Sequence, residues 1–345
     1  MRRERMLDVL IVSLGSTAGL RAADDELAAS LRRAGAEVAL AHARAPRERP
    51  TLMLTDLAWA RAARSAGAAS LGTLGGGAHA VIYSSTTAAL LWPRAGAIRF
   101  DAASSGNRPG RHGLWQRPLE RRRLREAPLL LPWSAAALRE APESARAGDR
   151  ALELPVPVEP SGESPPLRDI AAVTYAANPA KKGLGRVLAA WRKLRPERRS
   201  APDAELLVAG ASAEELARAG FQLANEDGVR GVGALAPGEY RALLRRTRVF
   251  VCAPVREDYG IAQLEALADG CLLVTTPSPG PYVALGIARA LDPRLVSEDL
   301  EAALRTALEQ PRADYAPRAG SALAPFSRAA VDRLVAEQLL PRLLT

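Results

Sequence analysis

Cysteine and histidine are scarce in this chain of 345 residues, which has two of the former and three of the latter. The two cysteines, Cys252 and Cys271, do not form a Cys-x-x-Cys pair. This composition argues against a disulfide framework and against a zinc site built from cysteine and histidine. Both cysteines lie in apolar runs, VFVCAP and GCLLV. We therefore expect them to be buried small hydrophobic residues in a reducing cytoplasm.

Long apolar runs are also missing. No stretch approaches the roughly 18 apolar residues that a transmembrane helix needs. The start of the chain, MRRERMLDVLIVSLGSTAGL, places charge before an apolar run as a signal peptide does. Asp8 interrupts that run, however, and no cleavage-site pattern follows it. We interpret the run as a first β-strand and predict a cytoplasmic protein.

Positive charge is carried almost entirely by arginine, because the chain has only three lysines. The net charge of +9 is uneven, since residues 1–160 hold 23 basic and 16 acidic side chains. A basic first half suits anionic partners such as nucleotide phosphates or an acidic membrane face. The densest basic run, RPLERRRLREAP at 117–128, is either a solvated helix face or a peripheral contact at the inner membrane face. It has no interleaved aromatic residues, so we do not expect a nucleic-acid partner.

Apolar runs that alternate with helical patterns predict an α/β protein with parallel sheets. A proline-rich stretch at 152–166 interrupts this pattern, which then restarts with DIAAVTYAA. We therefore predict a Rossmann-like domain over 1–158, a second over 159–325, and a final helix within 326–345. Ligands of such domains bind at the carboxyl ends of the strands, which predicts a cleft between the two domains. The predicted strands of the first domain are LDVLIVSL, AEVALAHA, TLMLTD, HAVIYSS, AIRFD and PLLLP.

The stretch REDYGIAQLEALADGCLLVTTPSPGPY, residues 256–282, places two carboxylates eight positions apart. Glu257 precedes a predicted helix that starts at Gly260, and Glu265 lies within it. That helix is apolar almost all round and is therefore expected to be buried. Buried Glu265 would need hydrogen-bond partners, which a ligand rich in hydroxyl groups supplies. The helix N-terminus beside Glu257 suits a phosphate or a sugar hydroxyl. The alternative is a surface helix with two solvated acids.

Two loops at predicted strand ends are further candidates for phosphate contacts. The first domain has Gly15 in GSTAG, where small residues allow close backbone approach; the alternative is a tight strand-to-helix turn. The second domain has Lys181 and Lys182 in AKKG, just before a predicted helix. A lysine beside a helix N-terminus is suited to a diphosphate, and the alternative is a solvated lysine pair.

The segments NPAKKGLGRVLAAWRKL, LLVAG, GVRGVGALAPGEYRALL and REDYGIAQLEALADGCLLVTT carry a family resemblance. In order and spacing they resemble the group 1 retaining glycosyltransferases of the GT-B fold, firmly over about 170–285. Glu257 and Glu265 match the Glu-x7-Glu pattern of that family. The resemblance implies two Rossmann-like, doubly wound domains facing a central cleft, with the C-terminal helix crossing back to the N-terminal domain. It also implies transfer of a sugar from a UDP- or GDP-linked donor to a glycan, lipid or small-molecule hydroxyl. Such transfer retains configuration and uses neither a metal nor a further cofactor.

The resemblance also assigns roles on the donor side. Glu257 would bind donor-sugar hydroxyls, Glu265 the nucleotide ribose, and Lys182 the leaving diphosphate. The backbone cradle around the sugar and diphosphate would be Tyr259, Gly260 and Ile261.

On the acceptor side the resemblance implies that Gly15 approaches the phosphates or the acceptor. The family often has a His-Asp pair at a strand end, where this chain has Phe100 and Asp101. Asp101 then joins Glu257 and Lys182 as a catalytic candidate, and His112 in the loop GRHG is a candidate substitute for the missing histidine.

A further departure is Ala177, which stands where the family commonly has a phosphate-binding arginine. Arg186 and Arg256 are candidates to compensate. The departures motivate a competing hypothesis, a non-catalytic or impaired homologue that only binds sugar nucleotides. A GT-B epimerase or phosphorylase is a third alternative, with less support because no lysine matches a pyridoxal-phosphate site.

Overall fold

The computed structural model describes residues 7–47, 49–73, 77–108, 110–146, 148–163, 165, 167–198, 205–223 and 228–345. The chain divides into two compact units. The first unit is Met1–Pro157 together with Phe326–Thr345, and the second is Val158–Pro325. Each unit contains a five-stranded sheet whose paired strands are parallel. The predicted α/β class with two Rossmann-like domains is confirmed.

The first sheet has the strand order β2-β1-β3-β4-β5. Residues Val9 to Val12, which belong to one of its inner strands, are fully buried, as expected of a parallel strand covered on both faces. The strands are β1 (Leu7–Ser13), β2 (Val38–His42), β3 (Ala78–Tyr83), β4 (Ala97–Phe100) and β5 (Leu130–Pro132). The helices between and after them are α1 (Ala18–Arg33), α2 (Leu52–Thr73), α3 (Thr86–Ala89), α4 (Ser104–Asn107), α5 (Gln116–Glu126), α6 (Ala135–Glu140) and α7 (Glu143–Arg146).

One predicted strand of the first unit is wrong. The run TLMLTD belongs to helix α2, which begins at Leu52. The hydroxyl of Thr51 accepts a hydrogen bond from the Leu54 amide at 3.3 Å and so caps the helix start. A short alternation of apolar and polar residues does not distinguish a strand from a helix, and leucine, methionine and alanine all favour the helix.

The C-terminal segment packs on helix α1 of the first unit, which confirms the predicted return of the last helix. It consists of α15 (Arg328–Leu334), a π-helical turn (Val335–Leu339) and α16 (Leu340–Leu344). Asp332 accepts hydrogen bonds from the Ser30 hydroxyl at 2.5 Å and from the Arg33 guanidinium at 2.7 and 2.8 Å. Val331, Val335 and Leu339 are buried in one cluster with apolar residues of α1. The π turn precedes Pro341, which has no amide hydrogen to continue a regular α-helix.

The second sheet has the strand order β10-β9-β6-β7-β8. Its strands are β6 (Ile170–Tyr175), β7 (Leu206–Ala209), β8 (Val229–Gly233), β9 (Thr247–Cys252) and β10 (Leu272–Thr275). Its helices are α8 (Leu184–Arg198), α9 (Ala213–Arg218), α10 (Pro237–Arg246), α11 (Ile261–Ala268), α12 (Val283–Leu291), α13 (Leu300–Glu309) and α14 (Tyr315–Leu323).

Both cysteines are buried in the second unit, as predicted. The Cys252 thiol, at the end of β9, donates to the Thr275 hydroxyl at 3.3 Å. The Cys271 thiol, before β10, donates to the Leu244 carbonyl at 3.2 Å. Burial raises the pKa of both thiols, to about 12 at Cys271, so both are inert core residues.

Candidate functional site

The second sheet has a topological switch point between β6 and β9. The chain continues from β6 to β7 and β8 on one side, and then returns to place β9 and β10 on the other side. The strands β6 and β9 are neighbours and run parallel. The loops that follow them therefore leave the same edge of the sheet side by side, where ligands bind in open α/β sheets.

Gly183 allows the loop after β6 to lie against the end of β9. Its φ is +67°, and a Cβ there would meet the Ala253 carbonyl oxygen at 1.8 Å. The two loops are also joined by the Val255 amide, which donates to the Lys181 carbonyl at 3.0 Å. Close backbone contact of this kind places Lys181 and Lys182 beside the loop that carries Glu257.

Lys182 and Glu257 form an ion pair at this edge. The Lys182 Nζ lies 2.6 Å from Glu257 Oε2. The Glu257 residue is only 6% exposed, and its Oε2 also accepts a hydrogen bond from Gln263 Nε2 at 3.1 Å. Two donors thus compensate the burial of the carboxylate. The structure brings together two residues that lie 75 positions apart in the chain and that the sequence had singled out separately.

Asp258 forms a second cluster beside this pair. Its buried carboxylate lies 2.7 Å from Arg256 Nε and 3.4 Å from Lys181 Nζ. Arg256, one of the two arginines named as compensating for Ala177, therefore belongs to the cluster. The other, Arg186, pairs with Glu298 instead. Asp258 had not been predicted, although its position directly after Glu257 was the available signal.

Helix α11 begins at the same edge. Gly260 caps it with a φ of +95°, and a Cβ there would meet the Tyr282 ring at 2.8 Å. The first helical hydrogen bond runs from the Leu264 amide to the Gly260 carbonyl at 3.0 Å. The amides of Ile261 and the following residue precede that bond, so they lack a helical partner. Tyr259, just before the cap, is buried with 2% exposure.

Glu265 lies on α11 and is close to Arg241, a partner that had not been predicted from the sequence. The Arg241 Nη1 is 3.7 Å from Glu265 Oε1, and the Arg241 Nε is 2.6 Å from the Asp269 carboxylate. Burial raises the pKa of Glu265, and the charge of Arg241 offsets this only in part. The Glu265 side chain is 28% exposed, so one side of it faces solvent at the sheet edge.

Two tyrosines border Glu265, and neither had been predicted from the sequence. Tyr175 ends β6, and its ring centroid lies 5.3 Å from that of Tyr240. Gly210 approaches the Tyr175 ring so closely that a Cβ would come within 2.7 Å of it. The Tyr240 hydroxyl is buried and has no hydrogen-bond partner within the part of the chain that the structure describes. The signal that could have found Tyr175 is its position at the carboxyl end of the central strand.

The first sheet has its own switch point, between β1 and β3. Gly15 follows β1 with a φ of +55°, and its carbonyl accepts a hydrogen bond from Arg21 Nη1 at 2.7 Å. Beneath this loop, the Asp24 carboxylate accepts a hydrogen bond from the Ser13 hydroxyl at 2.6 Å and pairs with buried Arg99 at 3.4 Å. Burial raises the pKa of Asp24, against the opposing effect of Arg99.

The remaining acceptor-side candidates also lie in the first unit. Asp101 follows β4 and is half-buried, two strands away from Gly15 at the same sheet edge. The loop after Asp101 is fixed by Glu120, whose buried carboxylate accepts hydrogen bonds from the Ser104 amide at 2.9 Å and hydroxyl at 2.8 Å. His112 is exposed on a 3₁₀ turn, Gly110–Gly113.

Among the residues that the structure describes, no group of three or more His, Cys, Asp or Glu side chains is arranged to hold a metal ion. In the same residues, no helix combines the length and apolarity needed to cross a membrane.

Comparison with solved structures identifies the fold as that of GT-B glycosyltransferases. Sucrose-phosphate synthase from Thermosynechococcus elongatus is 16% identical over 98% of this chain and 99% of its own, with a TM-score of 0.66. HepE from Anabaena, in complex with UDP and glucose, is 14% identical over 97% and 99%, with a TM-score of 0.65. An E. coli trehalose-6-phosphate protein bound to UDP-2-fluoroglucose is 12% identical over 96% and 98%, with a TM-score of 0.64.

The sequence of the second unit gives a more specific match than the fold does, because it matches one family. A profile of the family described as glycosyl transferases group 1 matches residues 169–310. This range contains the two loops at the switch point, Lys182, Glu257 and Glu265. No curated protein sequence gives a significant match to the chain.

Proposed function

We propose that this protein is a retaining glycosyltransferase that moves a sugar from a nucleoside diphosphate sugar to an acceptor hydroxyl without a metal ion. The observation that carries the proposal is the Lys182–Glu257 ion pair at the switch point of the second sheet. It joins a cation suited to a diphosphate with a carboxylate suited to sugar hydroxyls, within the segment that matches group 1 glycosyl transferases.

Lys182 stabilises the charge that develops on the departing diphosphate. An ammonium group has three donors, so Lys182 can contact a phosphate oxygen while it keeps its hydrogen bond to Glu257. The N-terminus of α11 adds backbone amides and the positive end of the helix dipole. A cation and a helix terminus then supply the electrostatic stabilisation that a metal gives in other transferases.

Glu257 accepts hydrogen bonds from donor-sugar hydroxyls, and the backbone of Tyr259, Gly260 and Ile261 surrounds the sugar and diphosphate. The bond from the sugar's anomeric carbon to the diphosphate oxygen breaks, and a bond to the acceptor oxygen forms on the same face. The acceptor proton passes to the leaving phosphate oxygen. Configuration is retained, and no side chain acts as a covalent nucleophile.

Glu265 accepts hydrogen bonds from the ribose, through the side of its carboxylate that faces solvent. The raised pKa of Glu265 is consistent with a carboxylate that lacks enough donors until ribose hydroxyls arrive. Uridine is the favoured base, because two similar structures hold UDP or a UDP-sugar, and a guanosine donor is the second choice.

Arg256 and Lys181 take the place of the arginine that is missing at Ala177. Both are held beside Lys182 by the carboxylate of Asp258. Arg256 and Lys181 supply positive charge near the diphosphate, which replaces the charge of an arginine at position 177.

On the acceptor side we propose Asp101 as the catalytic candidate, with Gly15 approaching the phosphates or acceptor and His112 near the acceptor. The acceptor is a hydroxyl of a glycan, a lipid or a small molecule. These assignments rest on the family resemblance and on the position of Asp101 and Gly15 at the carboxyl edge of the first sheet.

The test is release of a nucleoside diphosphate from a panel of UDP-, GDP- and ADP-sugars, with and without acceptors. Lys182→Ala should lower turnover by about 100-fold, the scale of losing one group that stabilises transition-state charge. Lys193→Ala removes an exposed lysine of α8 and should leave turnover unchanged. EDTA should have no effect. Donor binding without turnover on any acceptor or water would instead support the non-catalytic alternative.

We also propose peripheral contact of the basic first unit with the inner membrane face. Leu114 is 62% exposed just before α5, and Arg121, Arg122 and Arg125 of that helix are exposed. An exposed apolar side chain close in sequence to exposed cations suits an anionic lipid surface. Sedimentation with phosphatidylglycerol vesicles but not with phosphatidylcholine vesicles is expected, and Leu114→Ser should weaken it. Equal sedimentation with both lipids would contradict the contact.

A further inference from the structure

Gln263 is a buried amide in contact with the candidate sugar-binding carboxylate. It lies in the first turn of α11 and is 1% exposed. Its Nε2 donates to Glu257 Oε2 at 3.1 Å and approaches the Cys252 thiol at 3.6 Å. The Glu-x7-Glu pattern leaves position 263 open, so the family resemblance assigns no role to this residue.

The other half of the amide is not satisfied. Gln263 Oε1 is buried and has no hydrogen-bond partner among the residues that the structure describes. A buried acceptor without a partner lowers stability, and an apolar side chain of equal length would avoid this. The reversed amide is disfavoured, because it would place Oε1 about 3.1 Å from Glu257 Oε2, an acceptor against an acceptor. The carboxylate therefore fixes which way the amide points.

Lys182 and Gln263 approach the same oxygen of Glu257. Both donate to Oε2, at 2.6 and 3.1 Å, and no described residue donates to Oε1. Lysine is a point charge on a flexible stem and does not by itself fix the rotation of a carboxylate. A second donor at a set angle does, and it leaves Oε1 available to a ligand.

Gln263 contacts a buried network of polar side chains. The Cys252 thiol that it contacts lies 3.3 Å from the Thr275 hydroxyl and 3.6 Å from the Tyr282 hydroxyl. The two hydroxyls lie 3.0 Å apart, and all three groups are buried. Position 263 is therefore fixed both by helix α11 and by a packed polar network beneath it.

We propose that Gln263 is a positioning residue that orients the Glu257 carboxylate, so that Oε1 faces the hydroxyls of the donor sugar. The sugar-facing part of this inference rests on the function proposed above, whereas the orientation of Glu257 does not. Gln263 acts on sugar recognition through Glu257, and it leaves nucleotide recognition to Lys182, Glu265 and the helix terminus.

The main test is Gln263→Met, which keeps the length of the side chain and removes its donor. Affinities for UDP-glucose and UDP, and for GDP-mannose and GDP, are measured by calorimetry. The preference for nucleotide sugar over free nucleotide should fall about tenfold, the scale of a hydrogen bond to a charged group. The affinity for the free nucleotide should stay within about twofold of wild type. The melting temperature should change little, because the variant loses one of the two donors to the buried Glu257 carboxylate but also removes the unsatisfied acceptor.

A purely structural role would lower both affinities together, and that result would overturn the proposal. Gln222→Met, at an exposed position of the second unit, should change none of these quantities. If Gln263→Met does not fold, Gln263→Leu removes the donor with a shorter apolar side chain. It should reduce the sugar preference to a similar extent.

Crystal structures of the wild type and Gln263→Met, both without ligand, separate this inference from the proposed function. The Glu257 carboxylate should rotate, or occupy more than one orientation, in the variant. An unchanged carboxylate in the variant refutes the positioning role whatever the ligand proves to be. A wild-type protein that binds none of the nucleotide sugars refutes the proposed function, and the two crystal structures still decide whether Gln263 orients Glu257.

Discussion

The Lys182–Glu257 ion pair should make a measurable contribution to the stability of the second unit. The pair is neither fully exposed nor fully buried, because the side chains are 21% and 8% exposed, respectively. Exposed ion pairs contribute about 0 to 1 kcal/mol, and removing one partner of a buried pair costs about 3 to 5 kcal/mol. At 2.6 Å the contact is a charge-assisted hydrogen bond, for which a net value of about 1.5 to 3 kcal/mol is typical.

We therefore predict a coupling energy of about 2 kcal/mol between the two residues, or roughly 30-fold in the unfolding equilibrium. A double-mutant cycle of Lys182→Met, Glu257→Gln and the double variant measures it. Lys182→Met alone should be the more destabilising single change, because it leaves a buried carboxylate with only the Gln263 amide as a donor.

The two native cysteines can report unfolding in this experiment. Both of its cysteines are buried in the second unit, at 2% and 0% exposure. Pulsed thiol labelling in increasing urea therefore reports the free energy of unfolding of that unit alone. Lys181→Met is a comparison, since its side chain is 50% exposed and lies 3.4 Å from Asp258; we expect a loss below about 1 kcal/mol. Single-variant effects that add to within about 0.5 kcal/mol would refute the coupling.

Three further changes test the surrounding structure. Gly183→Ala should destabilise the second unit by about 3 kcal/mol or more, since it combines a positive φ with a backbone clash. The control, Gly185→Ala in α8, should be neutral or stabilising. Equal effects of the two changes on urea unfolding would contradict the clash. Glu265→Gln should raise the melting temperature at pH 7, because burial raises the pKa of the Glu265 carboxyl and makes its charged form costly. The gain should disappear toward pH 4, and nucleotide binding should weaken. A lower melting temperature at pH 7 would contradict this reasoning. Asp332→Asn should loosen the C-terminal segment, seen as faster amide exchange over 328–344, by about 1 to 2 kcal/mol; unchanged exchange would show that apolar packing alone holds it.

The fold was largely predictable because its signal is local. Apolar runs such as LDVLIVSL and RVFVCAP are buried on both faces and have few other interpretations in a chain of this composition. Thr51 shows where local reasoning fails, since its capping hydroxyl decides between strand and helix for the next residues. A hydroxyl cap also sets the start of α1, where Thr17 precedes Ala18 and accepts a hydrogen bond from the Leu20 amide.

The candidate site was predictable only as a set of separate residues. Lys182 and Glu257 were both identified by their position near helix starts, but their contact depends on β6 and β9 being neighbours. Arg241, which pairs with Glu265, lies on α10, whose docking against α11 no sequence period indicates. Gln263 was visible as one of few polar residues on an apolar helix, yet its partner became clear only from the rotamers of the packed site.

Each cation named at the candidate site has a carboxylate partner in the second unit. Lys182 pairs with Glu257, Arg256 and Lys181 share Asp258, and Arg241 lies between Glu265 and Asp269; the distances range from 2.6 to 3.7 Å. A locally neutral cluster can be buried during folding at a lower cost than unpaired cations, so these cations need no ligand to become ordered. The same pairing means that truncating one member removes part of the compensation of its partner. Turnover and stability must therefore be measured on the same variants, because a loss of activity in Lys182→Ala counts as catalytic only to the extent that it exceeds the population lost to unfolding.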